Sequence, residues 1–210
     1  TVVGHIGWFD DLLQQIHQRG MDCAPDFITI DSADGGTGAA PQSLIDYVGL
    51  PLRVSLPHVV DKLTEYNLRE RIKIIASGKL INPGDVAWAL CVGADFIASA
   101  RGFMFSLGCI QALKCNKDTC PTGITTHNPE LQLGLVPSDK AQRVKHYAEH
   151  ILHEVGVIAH ACGVTEARQL RRHHTQVIDA RGIPGALEAL YPNATPRPDY
   201  LIATSQEVSN

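Results

Sequence analysis

Short apolar runs alternate with helix-spaced apolar patterns along most of the chain. Four runs have the length and composition of strands, at residues 2–6, 27–31, 72–77 and 96–100. The third is apolar almost throughout, which is typical of a parallel strand covered on both faces. Because each run precedes a helical pattern, the sequence predicts repeated βαβ units and a parallel sheet.

The helical patterns have recognisable beginnings and ends. One helix is predicted over residues 10–19, where Gly20 marks its end, and another begins at Pro83, in the first-turn position that proline favours. The longest is predicted over residues 138–162. Its apolar face is predicted to consist of Val144, Tyr147, Ile151, Leu152, Val155 and Ile158.

Two α/β architectures contain such units: an open doubly wound sheet and a (β/α)₈ TIM barrel of about 250 residues. The barrel is favoured, because four strands alone would leave two open edges and Thr1 already stands at a strand. This chain would supply about the C-terminal half, strands 5–8, and the rest would come from missing sequence or another chain. Residues 1–175 are expected to form this half-barrel with its cysteine loop and long C-terminal helix, and residues 176–210 a partly loose extension.

Composition narrows the function classes. Of 210 residues, 44% are hydrophobic, which excludes disorder. A formal net charge of −4 without a block of basic residues disfavours nucleic-acid binding. No apolar run approaches the ~20 residues of a membrane span. Six cysteines are too few for a disulfide scaffold, so a reducing, cytoplasmic location is expected.

Two strand ends carry the residues expected at a phosphate site. Glycine lets a phosphate approach the backbone, and N–H groups at the start of a helix bind anions. In barrels, the loops after the last two strands often form such a site. The alternative is that these glycines only permit turns. The residues concerned are Ser77, Gly78 and Lys79 after the third run, and Ala100, Arg101 and Gly102 after the fourth.

A glycine-rich segment follows the second run, at the same predicted edge of the sheet. It reads Asp34-Gly35-Gly36-Thr37-Gly38 and matches neither a Walker loop nor a dinucleotide-binding fingerprint. Its small residues would bring the backbone close to something flat or bulky, and a flexible loop is the alternative. Asp31, which ends the run, and Asp34 are the candidate catalytic residues.

Three cysteines lie close together with the spacing Cys109-x₅-Cys115-x₄-Cys120-Pro121. Three thiolates on a tight loop suit an iron–sulfur cluster, and a proline follows the last ligand in some such loops. Structural zinc normally has four ligands, and although His127 could be the fourth, the spacing fits no common zinc pattern. Three unliganded thiols are the remaining alternative.

Together these motifs resemble the synthase domain of the glutamate synthase family. The resemblance rests on the glycine segment 34–41, on 49–51, on 93–95 and on the cysteine loop from 107 to 123. Residues 76–79 and 99–105 look more like the stand-alone branch of FMN-binding proteins without a fused glutaminase. The resemblance covers roughly residues 1–175.

The resemblance implies a (β/α)₈ barrel with FMN at the C-terminal ends of its strands. Ammonia, or an amine, would condense with 2-oxoglutarate or another 2-oxo acid to an imine, which reduced FMN converts to glutamate or its analogue. Electrons would come from ferredoxin or a pyridine-nucleotide-linked subunit through a 3Fe–4S cluster. The implied ligands are Cys109, Cys115 and Cys120 for the cluster, Gly78, Lys79, Arg101 and Gly102 for the FMN phosphate, and Gly35, Gly36, Thr37 and Gly38 on the flavin and substrate side.

The sequence departs from the family in two places. The family's flavin lysine would fall at or just before Thr1, and the glycine loop follows Ser32-Ala33-Asp34 instead of His-Asp. Without that lysine and the N-terminal half of the barrel, we expect the 210-residue chain alone to be inactive; a homo-oligomer is compatible with the pattern. Two other interpretations stay open: a cofactor-free binding or assembly subunit on the same half-barrel, and a TIM-barrel enzyme with zinc at the cysteine loop.

Overall fold

A three-stranded parallel sheet organises the chain, which this computed structural model describes at residues 3–31 and 48–201. The strands are β1 (Phe27–Asp31), β2 (Lys73–Ser77) and β3 (Phe96–Ala98), paired in that order. Asp31 lies opposite Ser77, which in turn lies opposite Ala98, so the three strands end together at one edge. The predicted parallel α/β organisation is confirmed.

A helix precedes each strand. They are α1 (Gly7–Arg19), α2 (Leu52–Glu65) and α3 (Pro83–Val92). The start of α3 lies where the proline signal predicts it. The Asn82 side chain accepts a hydrogen bond of 2.9 Å from the Asp85 N–H, and the proline occupies the first turn, where no backbone donor is needed.

Helices cover only one face of this sheet in the described residues. Alternate strand positions point into a single core with α1 and α2. That core includes Ile28, Ile30, Ile74 and Ala76 of the strands and Phe9, Leu13, Leu56 and Leu63 of the helices. On the opposite face, Phe27 is 59% exposed and Phe96 is 50% exposed. The expectation that β2 is covered on both faces is therefore not met within the described residues, where Ile75 is only half-buried.

The first apolar run is not a strand in its described part, residues 3–6. The carbonyl of Val3 accepts a hydrogen bond from the Leu50 N–H at 2.7 Å, so its backbone bonds to a loop and joins no ladder. The prediction of a strand there is wrong, because a strand forms only beside a partner strand. The fourth run is also shorter than predicted, since Ala100 already begins α4 (Ala100–Leu107).

Two further helices follow the cysteine loop: the short α5 (Pro129–Gln132) and the long α6 (Pro137–Ala161), which packs on α3 and α4. The extent of α6 agrees with the prediction, and its Val155 is buried. Leu152, however, is 75% exposed and does not belong to the packed face. Within residues 3–31 and 48–201, no helix combines the length and apolar character needed to cross a membrane.

The C-terminal part folds back onto the helices. After short 3₁₀ turns it contains β4 (Gln176–Ile178), the antiparallel β5 (Pro184–Ala186), α7 (Leu187–Leu190) and α8 (Pro198–Leu201). The ring of Tyr200 lies 4.7 Å from that of Tyr66, measured between centroids. The extension expected to be partly loose is thus packed at least to Tyr200.

Arg172 fastens this part to α2. The side chain is 4% exposed, and its Nη2 lies 2.6 Å from a carboxylate oxygen of Asp61. Its Nη1 donates to the carbonyl oxygens of Tyr191 at 2.9 Å and Pro192 at 3.2 Å. A buried guanidinium is tolerated only when it is paired and hydrogen-bonded in this way.

We predict that Arg172→Ala lowers the free energy of unfolding by about 3–5 kcal/mol, because it leaves Asp61 uncompensated and two carbonyl oxygens without a donor. Urea denaturation monitored by circular dichroism measures this. The control is Arg181→Ala, which removes an ion pair to Asp179 whose arginine is 77% exposed and should cost under about 1 kcal/mol. Equal losses in both variants would contradict the assigned role of Arg172.

Candidate functional site

The carboxyl ends of β1 and β2 are joined by a side-chain contact. The Ser77 hydroxyl donates to the Asp31 carboxylate at 3.3 Å. This places the first candidate catalytic carboxylate beside the turn that follows β2. The residues of the glycine-rich segment, which are Asp34, Gly35, Gly36, Thr37 and Gly38, lie outside the described residues.

The turn after β2 has an unusual backbone and borders a pocket. Lys79 adopts the left-handed conformation, with φ of +48°, which is uncommon for a residue with a side chain. The pocket beside it has a volume of about 240 Å³. It is lined by Pro51, Leu52, Arg53, Gly78, Lys79, Leu80, Asp85 and Trp88. Two of the lining side chains are basic, and Arg53 is paired with Asp85 at 2.8 Å.

The starts of α3 and α4 differ in a way that matters for anion binding. At α3 the Asn82 side chain already caps a first-turn N–H. At α4 the N-cap residue is Ser99, but its side chain makes no cap hydrogen bond. The Ser99 hydroxyl instead donates to the Leu80 carbonyl at 2.5 Å. The first turn of α4, with Ala100, Arg101 and Gly102, therefore lacks a side-chain cap, unlike the start of α3.

Gly102 has a packing role that sequence reasoning missed. A Cβ at this position would collide with the hydroxyl of Tyr147, which comes from α6. That hydroxyl donates to the Ile81 carbonyl at 2.7 Å and lies 3.3 Å from the Ser99 hydroxyl. Helical periodicity predicted only that Tyr147 lies on an apolar face. Its polar partners are distant in the sequence, so no local pattern predicts them.

The three clustered cysteines stand on one loop after α4. Cys109 directly follows the helix, Cys115 begins the 3₁₀ turn Cys115–Lys117, and Cys120 is buried. All three are free thiols. Among residues 3–31 and 48–201, however, no three His, Cys, Asp or Glu side chains come close enough to hold one metal ion. The donors suit a cluster in kind, but their arrangement does not form a ligand set, and the fourth ligand considered for zinc, His127, adds none.

The backbone of this loop is held in left-handed conformations at Gln111, Leu113 and Asp118, with φ of 53–59°. Such residues persist only where the surroundings impose them, and they concentrate at functional sites. Here the Thr126 hydroxyl donates to the Asp118 carbonyl at 2.6 Å. Gly123 is needed nearby, because a Cβ there would collide with the Leu131 carbonyl.

The surroundings of Cys120 favour the thiolate form of its sulfur and so lower its pKa. Burial raises its pKa, but hydrogen bonds from the side chains and backbone of Thr122 and Thr125 outweigh this and lower the pKa to about 6. The Thr122 hydroxyl lies 3.3 Å from the sulfur. At neutral pH the sulfur is thus mainly thiolate, which is the form that binds metals and reacts as a nucleophile.

We predict that iodoacetamide alkylation of Cys120 in metal-free protein rises with pH around a midpoint near 6. Thr122→Val removes a donor to the thiolate, so the pKa should rise and the rate at pH 7 should fall. Peptide mass spectrometry measures the alkylation of Cys120 separately from that of the other cysteines. Thr64→Val, which removes a hydroxyl bonded to the Val60 carbonyl in α2, should leave the profile unchanged. An unshifted midpoint in the Thr122 variant would show that the hydroxyl does not stabilise the thiolate.

Fold and site together define an α/β protein with a candidate anion-binding edge at the ends of parallel strands. A family model described as a conserved region in glutamate synthase matches residues 12–165, more than half of the 210 residues. The chain therefore belongs to the glutamate synthase family, whose members are oxidoreductases. The family resemblance noted from the motifs is confirmed.

Individual relatives agree with this assignment. The chain is 43% identical over 173 residues to the glutamate synthase large subunit-like protein YerD of Bacillus subtilis (strain 168), covering 82% of this chain and 33% of that protein. It is 37% identical over 146 residues to the archaeal glutamate synthase (NADPH) of Methanocaldococcus jannaschii, covering 70% and 29%. The glutamate synthase (NADPH) large chain of Bacillus subtilis is 39% identical over 107 residues, 51% of this chain and 7% of that one. The chain thus spans about a third of the length of the first two relatives.

Proposed function

We propose that the chain is the FMN-phosphate-binding and cluster-binding part of a glutamate synthase-like oxidoreductase. The reaction is the reductive amination of 2-oxoglutarate, in which ammonia and the oxo acid form an imine that is reduced to glutamate. The observation that carries this proposal is the start of α4, where the N-cap serine makes no cap bond and the β2 turn lies alongside. The proposed reaction itself is inferred from membership of the glutamate synthase family.

The proposed architecture is the C-terminal part of a (β/α)₈ barrel, in which β1, β2 and β3 would be strands 6–8; the strand expected at residues 2–6 does not form in its described part. Three described parallel strands with helices on one face match part of such a barrel, and the exposed face carrying Phe27 and Phe96 would line its interior. The remaining strands would cover that face. The length of the relatives leaves room for them, since the chain matches 33% of the YerD protein.

The FMN phosphate would be held at the ends of β2 and β3. Arg101 lies in the first turn of α4, and Lys79 lies in the β2 turn and lines the pocket described above. Both groups favour a doubly charged phosphate. The full proposed set is Ser77, Gly78, Lys79, Ala100, Arg101 and Gly102, with Gly35, Gly36, Thr37 and Gly38 on the flavin and substrate side. Bound FMN supplies the hydride that the reduction needs.

Protons for the reaction would be handled by carboxylates at the same edge. Asp31 is oriented by its hydrogen bond from the serine that ends β2. We assign to Asp31, or to Asp34 on the adjoining segment, the task of holding a proton near the substrate nitrogen. The register of Asp31 with Ser77 at the end of β2 supports this assignment, since barrel enzymes bind substrates at that edge.

A 3Fe–4S cluster is proposed on Cys109, Cys115 and Cys120. The support is the presence of three free thiols on one loop, one of them with a lowered pKa, next to the helix that would hold the phosphate. Binding would require the loop to draw its thiols together, as metal binding commonly does to small loops. The electron donor would be ferredoxin or a pyridine-nucleotide-linked subunit; two of the relatives are named as NADPH enzymes.

The proposal is tested on the complete polypeptide that contains this chain, purified without oxygen. It should show flavin absorption together with iron and acid-labile sulfide, and it should form glutamate from 2-oxoglutarate and ammonia when reduced. A colourless, metal-free product would overturn the assignment. Zinc without flavin would favour the zinc enzyme instead.

Cys115→Ser in the complete polypeptide is expected to abolish the cluster, because two thiolates cannot hold it. Electron paramagnetic resonance of the oxidised protein measures the cluster, and iron analysis gives its content. Cys23→Ser is the matched control, since Cys23 is an exposed thiol beyond the end of α1. An intact cluster signal in the Cys115 variant would contradict this ligand assignment.

Arg101→Ala is expected to weaken FMN binding by about 1.5–3 kcal/mol, the range for a charge-assisted hydrogen bond to phosphate. Flavin fluorescence titration of the apoprotein gives the dissociation constant. Arg101→Lys should lose less, because it keeps the charge, and Arg19→Ala, at the end of α1, should lose nothing. An unchanged affinity in the alanine variant would mean that the guanidinium is directed elsewhere.

A further inference from the structure

The hydroxyl of Tyr147, on α6, lies against both turns of the proposed phosphate site. This hydroxyl donates to the Ile81 carbonyl, in the segment between β2 and α3, at 2.7 Å. The same oxygen lies 3.3 Å from the hydroxyl of Ser99, the N-cap of α4. A single atom on α6 thereby touches the segments that follow both β2 and β3.

The protons of this small network can be assigned from its acceptors. A hydroxyl carries one proton, and the Tyr147 proton is directed to the Ile81 carbonyl. The Ser99 proton is directed to the neighbouring carbonyl of Leu80 at 2.5 Å. Two consecutive carbonyl oxygens of the β2 turn are thus held by two hydroxyls from outside it. Because the Ser99 hydroxyl donates to the Leu80 carbonyl, it makes no cap hydrogen bond to α4.

The packing around the ring shows that the hydroxyl has a place built for it. Gly102 leaves the space that this oxygen occupies, since a Cβ there would collide with it. The ring itself meets Phe103 edge-on, with centroids 5.0 Å apart. Phenylalanine could keep this ring contact but could not bond the Ile81 carbonyl. The polar function is therefore separable from the packing function.

We propose that Tyr147 is a positioning residue for the phosphate site. Its hydroxyl holds the Ile81 carbonyl while lying against Gly102 in the first turn of α4, so it keeps the β2 turn beside the helix start that would receive the phosphate. The separate bond from Ser99 to the Leu80 carbonyl keeps the serine from capping that helix. This inference rests on the proposed function, because it assigns the residue to the FMN site. It also connects that site to the helix that follows the cysteine loop, although Tyr147 itself touches neither cofactor.

The test compares Tyr147→Phe with Tyr66→Phe in the complete polypeptide. Tyr66 is a buried tyrosine between α2 and β2, whose hydroxyl accepts a hydrogen bond from Gln14 at 3.2 Å. The two variants each lose one partly buried tyrosine hydroxyl, so thermal unfolding of the apoproteins should shift to a similar extent. FMN dissociation constants come from fluorescence titration, and hydrogen exchange of peptides covering 78–82 and 99–103 reports on the two turns.

Tyr147→Phe should bind FMN about tenfold more weakly, because a carbonyl of the turn is left without its donor, and both turns should exchange faster without ligand. Tyr66→Phe should bind FMN within about twofold of the wild type and leave both turns unchanged. Unaltered FMN affinity in the Tyr147 variant, equal losses in both variants, or unaltered exchange in the two turns would overturn the inference alone. A wild-type protein that binds no FMN would overturn the proposed function and this inference with it.

Discussion

The parallel register of three strands is the constraint on which the candidate site depends. It brings Asp31, Ser77 and Ala98 to one edge, so the segments that follow β2 and β3 lie side by side although some twenty residues separate them in the sequence. The Ser77 hydroxyl joins the ends of β1 and β2, and two further hydroxyls, from Ser99 and Tyr147, donate to carbonyls of the β2 turn. A one-residue slip of β3 would separate these groups and turn its side chains to the other face.

The covering of the sheet in the described residues supports the proposed barrel, in which further strands would pack on the sheet's second face. Its helices bury one face through alternating side chains, while Phe27 and Phe96 remain half-exposed on the other. Covering the aromatic side chains of a sheet face removes apolar surface from water and so stabilises the folded protein. Family membership and the much greater length of the relatives give the same indication.

The sequence predicts local features of this chain well and long-range ones poorly. The start of α3 and the extent of α6 follow from capping and periodicity, which act within a turn of helix. The strand expected at residues 2–6 does not form in its described part, 3–6, because pairing depends on a distant partner that no local pattern encodes. Leu152 shares the apolar pattern but not the packed face, since that face is set by where α3 and α4 lie. Similarly, the motif marked Gly102 as a phosphate residue, whereas its close neighbour comes from α6.

The burial of Arg172 sets a boundary on how this domain can be shortened. Its guanidinium depends on the backbone oxygens of Tyr191 and Pro192 as well as on Asp61. A polypeptide cut anywhere between the arginine and those residues would keep the charge and remove two of its three hydrogen-bond partners. A shortened polypeptide must therefore extend beyond Pro192. Otherwise the Arg172–Asp61 pair must be replaced by apolar side chains of similar volume, because losing both charges costs less stability than losing the partners of one.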